Sequence, residues 1–155
     1  MTPMTEAPGI DAARALGLDP RVIHHGHVTS VEEAAVSAGV EPCDVVKTLV
    51  VRRSEGDHVL VLVPGDRSLS WPKLRALLGT SRLSMPDADT ARAVTGYERG
   101  TITPLGLELP VIADERIRGR EITLGTGARN VAVALSADAF IAAVSPTVAD
   151  VTDEP

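Results

Sequence analysis

Aromatic side chains are nearly absent from this sequence: Trp71, Tyr97 and Phe140 are the only three. That excludes a base-stacking platform of the kind that grips single strands, and it leaves the core to aliphatic residues. The single cysteine, Cys43, excludes an internal disulfide framework and every Cys-rich zinc pattern, and it reads as a small core thiol. No apolar run approaches the ~18 residues of a membrane span. The start of the chain has no basic segment followed by an apolar one, so a cytoplasmic protein is expected. Positive charge is in deficit as well. A formal charge of −6 argues against holding nucleic acid by bulk electrostatics, and any RNA contact must rest on a local patch. G-x-S-x-G, His-Glu-x-x-His and P-loop signatures are missing, which removes ordinary serine hydrolase, zincin and NTPase chemistry.

What is present fits one compact domain. The 155 residues are 44% hydrophobic, enough for a real core and too few for a second domain. The expected ordered core runs over about 9–144. The tails 1–8 and 145–155 are polar, Pro-containing and unpatterned, and are expected to be loose. A short helix is predicted over 11–17 and a strand over 21–25. TSVEEAAVSAG places Ser30 three residues before Glu33 and closes on Gly39, which predicts a capped helix over 31–38. Residues 44–53, DVVKTLVVRR, and the later HVLVLVP predict an antiparallel hairpin. SWPKLRALLG predicts a helix capped by Ser70 and stopped by Gly79, SRLSM a short strand, and PDADTARAVTG a helix closed by Gly96. Strand patterns return at 109–113, 121–124 and 131–135, with a last helix over 137–144. Paired strands separated by single helices predict an α+β fold: a curled, mixed, largely antiparallel sheet with flanking helices.

Four stretches carry candidate chemistry. Lys47 stands inside a β-branched run, on the face of Val45, Leu49 and Val51, where an ammonium is costly unless it is paired or used. It is either a snorkelling edge residue or a functional amine. Lysine occurs elsewhere only at position 73, against thirteen arginines, which favours a site that wants a compact ammonium. GYERGTITPLG is glycine-rich, and either brings backbone N–H groups to a ligand or simply connects a helix to a strand. LGTGARN lacks the third glycine and the βαβ setting of a dinucleotide site; it predicts a hairpin turn, with Arg129 available for a phosphate. HHGH offers His25 and His27 to one ion, but no Cys or carboxylate completes a set, so no metal is expected and His24 reads as a pocket-wall histidine.

In combination, VVKTLVV, TGYERGTITPLG, LPVIAD and LGTGARN resemble the YbaK/prolyl-tRNA synthetase-associated domain family over about 22–144. The resemblance implies an aminoacyl-tRNA deacylase that removes misattached amino acids in trans, plausible substrates being Cys- or Ala-charged tRNA for proline. It implies the same curled α+β fold, no metal and no cofactor. Carried onto this sequence, the family's critical strand lysine is Lys47, and its G-x-x-x-P element falls on Gly100 and Pro104. Further candidate substrate contacts are Thr48, Tyr97, Thr101, Thr103, Gly127, Arg129 and His24, with Arg92, Arg99 and Arg129 as candidate phosphate contacts. The implied partners are the acceptor end of mischarged tRNA and prolyl-tRNA synthetase, and no membrane. The alternative is a non-catalytic synthetase-associated or acceptor-end binding module of the same fold. A third reading is a small-molecule or metal-binding protein built on His24, His25 and His27.

Overall fold

A computed structural model describes residues 7–154. In chain order the elements are α1 (Pro8–Ala15), β1 (Arg21–His24), α2 (Val31–Ala38), β2 (Val46–Ser54), β3 (Asp57–Pro64), β4 (Ser68–Leu69), α3 (Trp71–Leu78), α4 (Ala88–Thr95), β5 (Val111–Asp114), β6 (Glu121–Gly125), β7 (Val131–Ser136), α5 (Ala137–Val144), β8 (Thr147–Ala149) and β9 (Thr152–Asp153). The helices start and stop where local chemistry dictates. Ser30, Ser70, Asp87 and Ser136 each accept a hydrogen bond from the backbone N–H three residues on, and Gly39, Gly79 and Gly96 close helices in the left-handed conformation. Glu33 reaches back to the Thr29 N–H at 2.9 Å, one residue outside the expected capping box.

The run HVLVLVP becomes the central strand β3, buried from His58 to Pro64. It pairs antiparallel with β2 and parallel with β5, which pairs parallel with β8. A strand covered on both faces needs no polar alternation. Leu60 and Leu62 join the main core with Val46, Val50, Leu124 and Phe140. Val59, Val61 and Val63 face a second core with Val51, Leu74 of α3 and Val151. A separate antiparallel sheet has the order β1-β7-β6. A parallel bridge from Val45 to Thr123 links it to the β2 edge of the first sheet. The arrangement is mixed and curled, with no closed barrel.

The helix expected over 11–17 runs Pro8–Ala15 and the strand expected over 109–113 is Val111–Asp114, and larger differences lie in SRLSM and the two tails. SRLSM makes no strand: only Ser84 pairs, through its N–H and C=O with Arg52, because Ser81, Arg82, Ser84 and Met85 are exposed and Pro86 follows. At the N-terminus, residues 1–6 of the expected loose tail lie outside the described residues, whereas Ala7 is buried and Pro8 opens α1.

The expected loose tail 145–155 is corrected most. Its residues form β8 and β9, and Val151 and Thr152 are completely buried. The reason is the carboxylate of Asp114, itself buried at the end of β5. It accepts hydrogen bonds from the Thr152 hydroxyl at 2.8 Å and the Val151 N–H at 3.2 Å, and from the Arg116 backbone and guanidinium at 3.1 Å. Outside this clip, Asp150 bridges Arg116 at 2.9 Å and Lys73 at 3.0 Å.

Arg116 and then Lys73 hold the Asp150 carboxyl at about 2, below its ordinary 3.8. A carboxyl depressed by folding contributes stability that is present above its unfolded value and lost as pH falls through the folded one. Asp150→Asn is therefore expected to lower the urea midpoint at pH 7, with the deficit shrinking as pH falls from about 4 toward 2. Circular dichroism titrations at both ends check this, and a deficit independent of pH would assign the effect to packing.

Candidate active site

Alternation along β2 sends neighbouring side chains to different cores. Val46 and Val50 enter the main core while Leu49 and Val51 face the second, so Thr48 shares the first face and Lys47 the second. At this end of β2 a cleft of about 360 Å³ opens between the strand, the 99–102 segment, the end of β6 and the 128–132 segment. Its walls are mostly aliphatic. The hydroxyl oxygen of Thr48, which lines it, is buried with no hydrogen-bond partner among the described residues. The half-buried Lys47 also lines it, and its ammonium donates to the backbone oxygen of Arg67 at 3.0 Å.

Opposite β2, Gly100 has a φ of +91° with open space where a Cβ would stand. Its N–H makes no hydrogen bond among the described residues. The turn is held by the Thr101 N–H and hydroxyl, both donating to the Glu98 backbone oxygen. It is also held by the Gly127 N–H, which donates to the Thr101 backbone oxygen at 2.8 Å. The loop comes this close to β6 because residue 125 has no side chain: a Cβ on Gly125 would stand 2.7 Å from the backbone oxygen of Ile102.

The structure thus brings together Lys47, Thr48, Gly100 and Thr101. Of the candidate phosphate contacts it brings Arg99 to the cleft but not Arg92 or Arg129, and it does not bring Pro104, Thr103, Tyr97, Gly127 or His24 there. Pro104 and Thr103 are buried, and the Thr103 hydroxyl accepts from the Leu105 N–H at 3.1 Å, so these residues shape the loop from behind. The Tyr97 ring packs over Gly127, and Arg129 is ion-paired with Glu98. The Arg129 guanidinium in turn holds the Glu98 carboxyl below its usual range. His24 is exposed and does not line the cleft; strand alternation puts its neighbour His25 there instead, with Nδ1 2.8 Å from the Gly26 backbone oxygen. Among the described residues, no group of three or more His, Cys, Asp or Glu is placed to hold a metal ion, and no helix is long and apolar enough to cross a membrane.

Sequence reasoning missed Arg67, whose contribution is a backbone oxygen and so leaves no side-chain signal. It also missed Thr123 and Asn130 of the cleft wall.

Residues 25–143 match the family model of the aminoacyl-tRNA editing domain. The chain belongs to that family. The proline–tRNA ligase of Thermosipho melanesiensis is 36% identical over 98 residues, which are 63% of this chain and 17% of the ligase. That of Desulfovibrio desulfuricans is 39% identical over 90 residues, 58% of this chain and 16% of the ligase. The chain therefore spans less than a fifth of the length of these relatives. A crystal structure of a proposed trans-editing enzyme for prolyl tRNA synthetase is 25% identical with a TM-score of 0.85, covering 98% of this chain and 99% of that one.

The close approach at residue 125 of this editing domain yields a direct test. Gly125→Ala is expected to push the Thr101–Ile102 backbone away from β6, to cost about 1–3 kcal/mol of stability, and to speed hydrogen exchange at the Gly127 amide. Urea unfolding and amide exchange measure the two effects. Unchanged exchange with normal stability would show that the loop does not depend on the missing side chain.

Proposed function

We propose that the cleft hydrolyses the ester bond between a misattached amino acid and the terminal ribose of tRNA. The observation that carries this reading is the convergence of Lys47, Thr48 and Gly100 on one cleft of an editing-domain fold, with the Thr48 hydroxyl buried and unpartnered. An unpaired buried hydroxyl costs about 1–3 kcal/mol, and a substrate oxygen or amine beside Thr48 offsets that cost. An ammonium has three N–H donors. With one of them on the Arg67 oxygen, two remain for the substrate's carbonyl and neighbouring oxygens. The Gly100 N–H supplies an uncharged donor where negative charge develops. Water adds to the carbonyl carbon, the carbon–oxygen bond to the ribose breaks, and the ribose oxygen leaves with a proton. The neighbouring ribose hydroxyl, held in place by the ester itself, or the sulfur of a cysteine substrate accepts a hydrogen bond from the attacking water and orients it in place of a protein side chain, and the water's proton passes to the departing ribose oxygen.

The walls formed by Val28, Ala34, Ala38, Val45 and Ala132 suit a small side chain. With the family match and its proline–tRNA ligase relatives, this favours cysteine or alanine misattached to tRNA for proline and prolyl-tRNA synthetase as partner, and we assign the action to the cytoplasm. Such a second site is needed because a synthetase pocket discriminates against one missing methylene by only about 1–3 kcal/mol. Arg99 lines both the cleft and an adjoining hollow along β2, and a third hollow follows with Arg52 and Arg82 beside Arg53, which is itself ion-paired with Asp57 at 3.0 Å and is left off the path. No Asp or Glu lines any of the three, although the chain carries a charge of −6. We assign the acceptor-end phosphates to this path rather than to Arg129, which Glu98 already engages. The engagement of the Lys47 ammonium by Arg67 favours a second reading, a non-catalytic acceptor-end binding module, and the same assay separates the two.

Lys47→Ala and Lys47→Arg are both expected to fold and to lose deacylation of Cys- or Ala-charged tRNA for proline by about 100-fold or more, since a guanidinium is planar and too long to replace a compact ammonium. Single-turnover hydrolysis beside thermal unfolding measures this, and an arginine variant working at the wild-type rate would sink the catalytic reading. Arg82→Gln is expected to weaken tRNA binding and to reduce its logarithmic salt slope by about one. Fluorescence anisotropy across a salt series measures the slope, and an unchanged slope removes Arg82 from the path.

A further inference from the structure

Resting on the hydrolytic reading of the cleft, we propose that Thr152, in the C-terminal strand, is a positioning residue that acts on Lys47 through Arg67. The connection is continuous. The Lys47 ammonium donates to the backbone oxygen of Arg67 at 3.0 Å. Arg67 lies in the turn between β3 and β4, where its own N–H donates to the Pro64 oxygen at 3.0 Å. Its guanidinium then reaches across to β9: Nε donates to the Thr152 hydroxyl at 2.6 Å, and Nη2 donates to the Thr152 backbone oxygen at 3.3 Å. Thr152 is itself fixed at four further points, one of them the Arg116 guanidinium, which donates to its hydroxyl at 3.4 Å. Its hydroxyl donates to Asp114 at 2.8 Å, its backbone oxygen accepts from Lys73 at 2.8 Å, and β9 pairs with β4.

A lysine side chain has high rotamer entropy, so an ammonium that must meet a small ester is more effective when its acceptor is already in place. The oxygen of Arg67 serves only if the turn keeps its shape, and the side chain of the same residue reinforces the tie to β9 that the β4–β9 pairing makes from the next residue on. The Thr152 hydroxyl is the shared atom, accepting from Arg67 while donating to Asp114.

The chain contains only two lysines, Lys47 and Lys73, so protein labelled with 13C at the lysine ε carbon gives two resonances, and Lys47→Ala assigns them. Arg67→Gln, which leaves the Thr152–Asp114 bond intact, is expected to broaden the Lys47 resonance through loss of a fixed acceptor. Lys73 shares the Thr152 backbone oxygen with Arg67 but keeps its bonds to that oxygen and to Asp150, so its resonance is expected to shift without broadening. Thr152→Val is expected to broaden the Lys47 resonance likewise, and Thr152→Ser to restore it. In single-turnover deacylation, Thr152→Val is expected to lower the rate constant about tenfold with half-saturation by substrate unchanged, and Thr152→Ser to rescue it. On the Lys47→Ala background, Thr152→Val should add nothing. A Lys47 resonance not broadened by Arg67→Gln, or a full additional loss on that background, overturns the relay. Absence of turnover in the wild-type protein would count against the hydrolytic reading alone, because the resonance still decides whether Thr152 holds Lys47. If Thr152→Val fails to fold, the Lys47 resonance of Arg67→Gln supports or overturns the relay by itself.

Discussion

A carboxylate with no access to water is the constraint around which this fold closes. Burying such a group is strongly unfavourable unless its oxygens are matched by donors. Asp114 at the end of β5 meets that requirement with the Thr152 hydroxyl, the Val151 N–H and two groups of Arg116. To satisfy it, the chain must return after α5 and lay Val151 against the second core, where Leu74 and Ile112 also pack. The β4–β9 pair and the Arg67 guanidinium follow from that return. The sheet's α3 face is thus covered partly by apolar packing and partly by a polar clip, and the clip reaches the lysine beside the cleft.

Most of the architecture can be read from local patterns, for reasons that are themselves local. A β-branched run, two turn residues and a second apolar run can hardly be anything but the β2–β3 hairpin. Four helices carry their own caps, and three end on glycines that take up the left-handed conformation. The segment after α5 escapes such a reading because its structure is set from outside. SPTVADVTDEP has no apolar periodicity, and Val151 and Thr152 are buried by Asp114, Arg67 and β4, all distant in sequence. SRLSM errs in the opposite direction, since a strand-like composition without a neighbour to pair along its length gives one bridge.

The cleft is legible to about the depth at which a strand pattern specifies direction. Lys47 and Thr48 stand out because polar residues interrupt an apolar run, and the glycine loop because glycine marks close backbone approach. Which loop residues face inward is not legible. Pro104, Thr103, Tyr97 and Gly127 lie behind the loop, holding Thr101 and Gly100 in position. The histidine in the wall is His25 rather than His24, a one-residue difference that alternation decides only once the register is known. Arg67 is invisible for a simpler reason, since any residue has a backbone oxygen.

The family resemblance ends at residue 143, whereas the groups that satisfy Asp114 lie at 151 and 152. The span that can be recognised by sequence is therefore shorter than the span that is mechanically complete. A graft cut to the recognisable limits would carry the lysine, the threonine and the glycine loop while leaving a water-excluded carboxylate without two of its donors and exposing the second core. In this chain, portability is governed by the polar suture at residues 114, 151 and 152 rather than by the motif that gives the domain away.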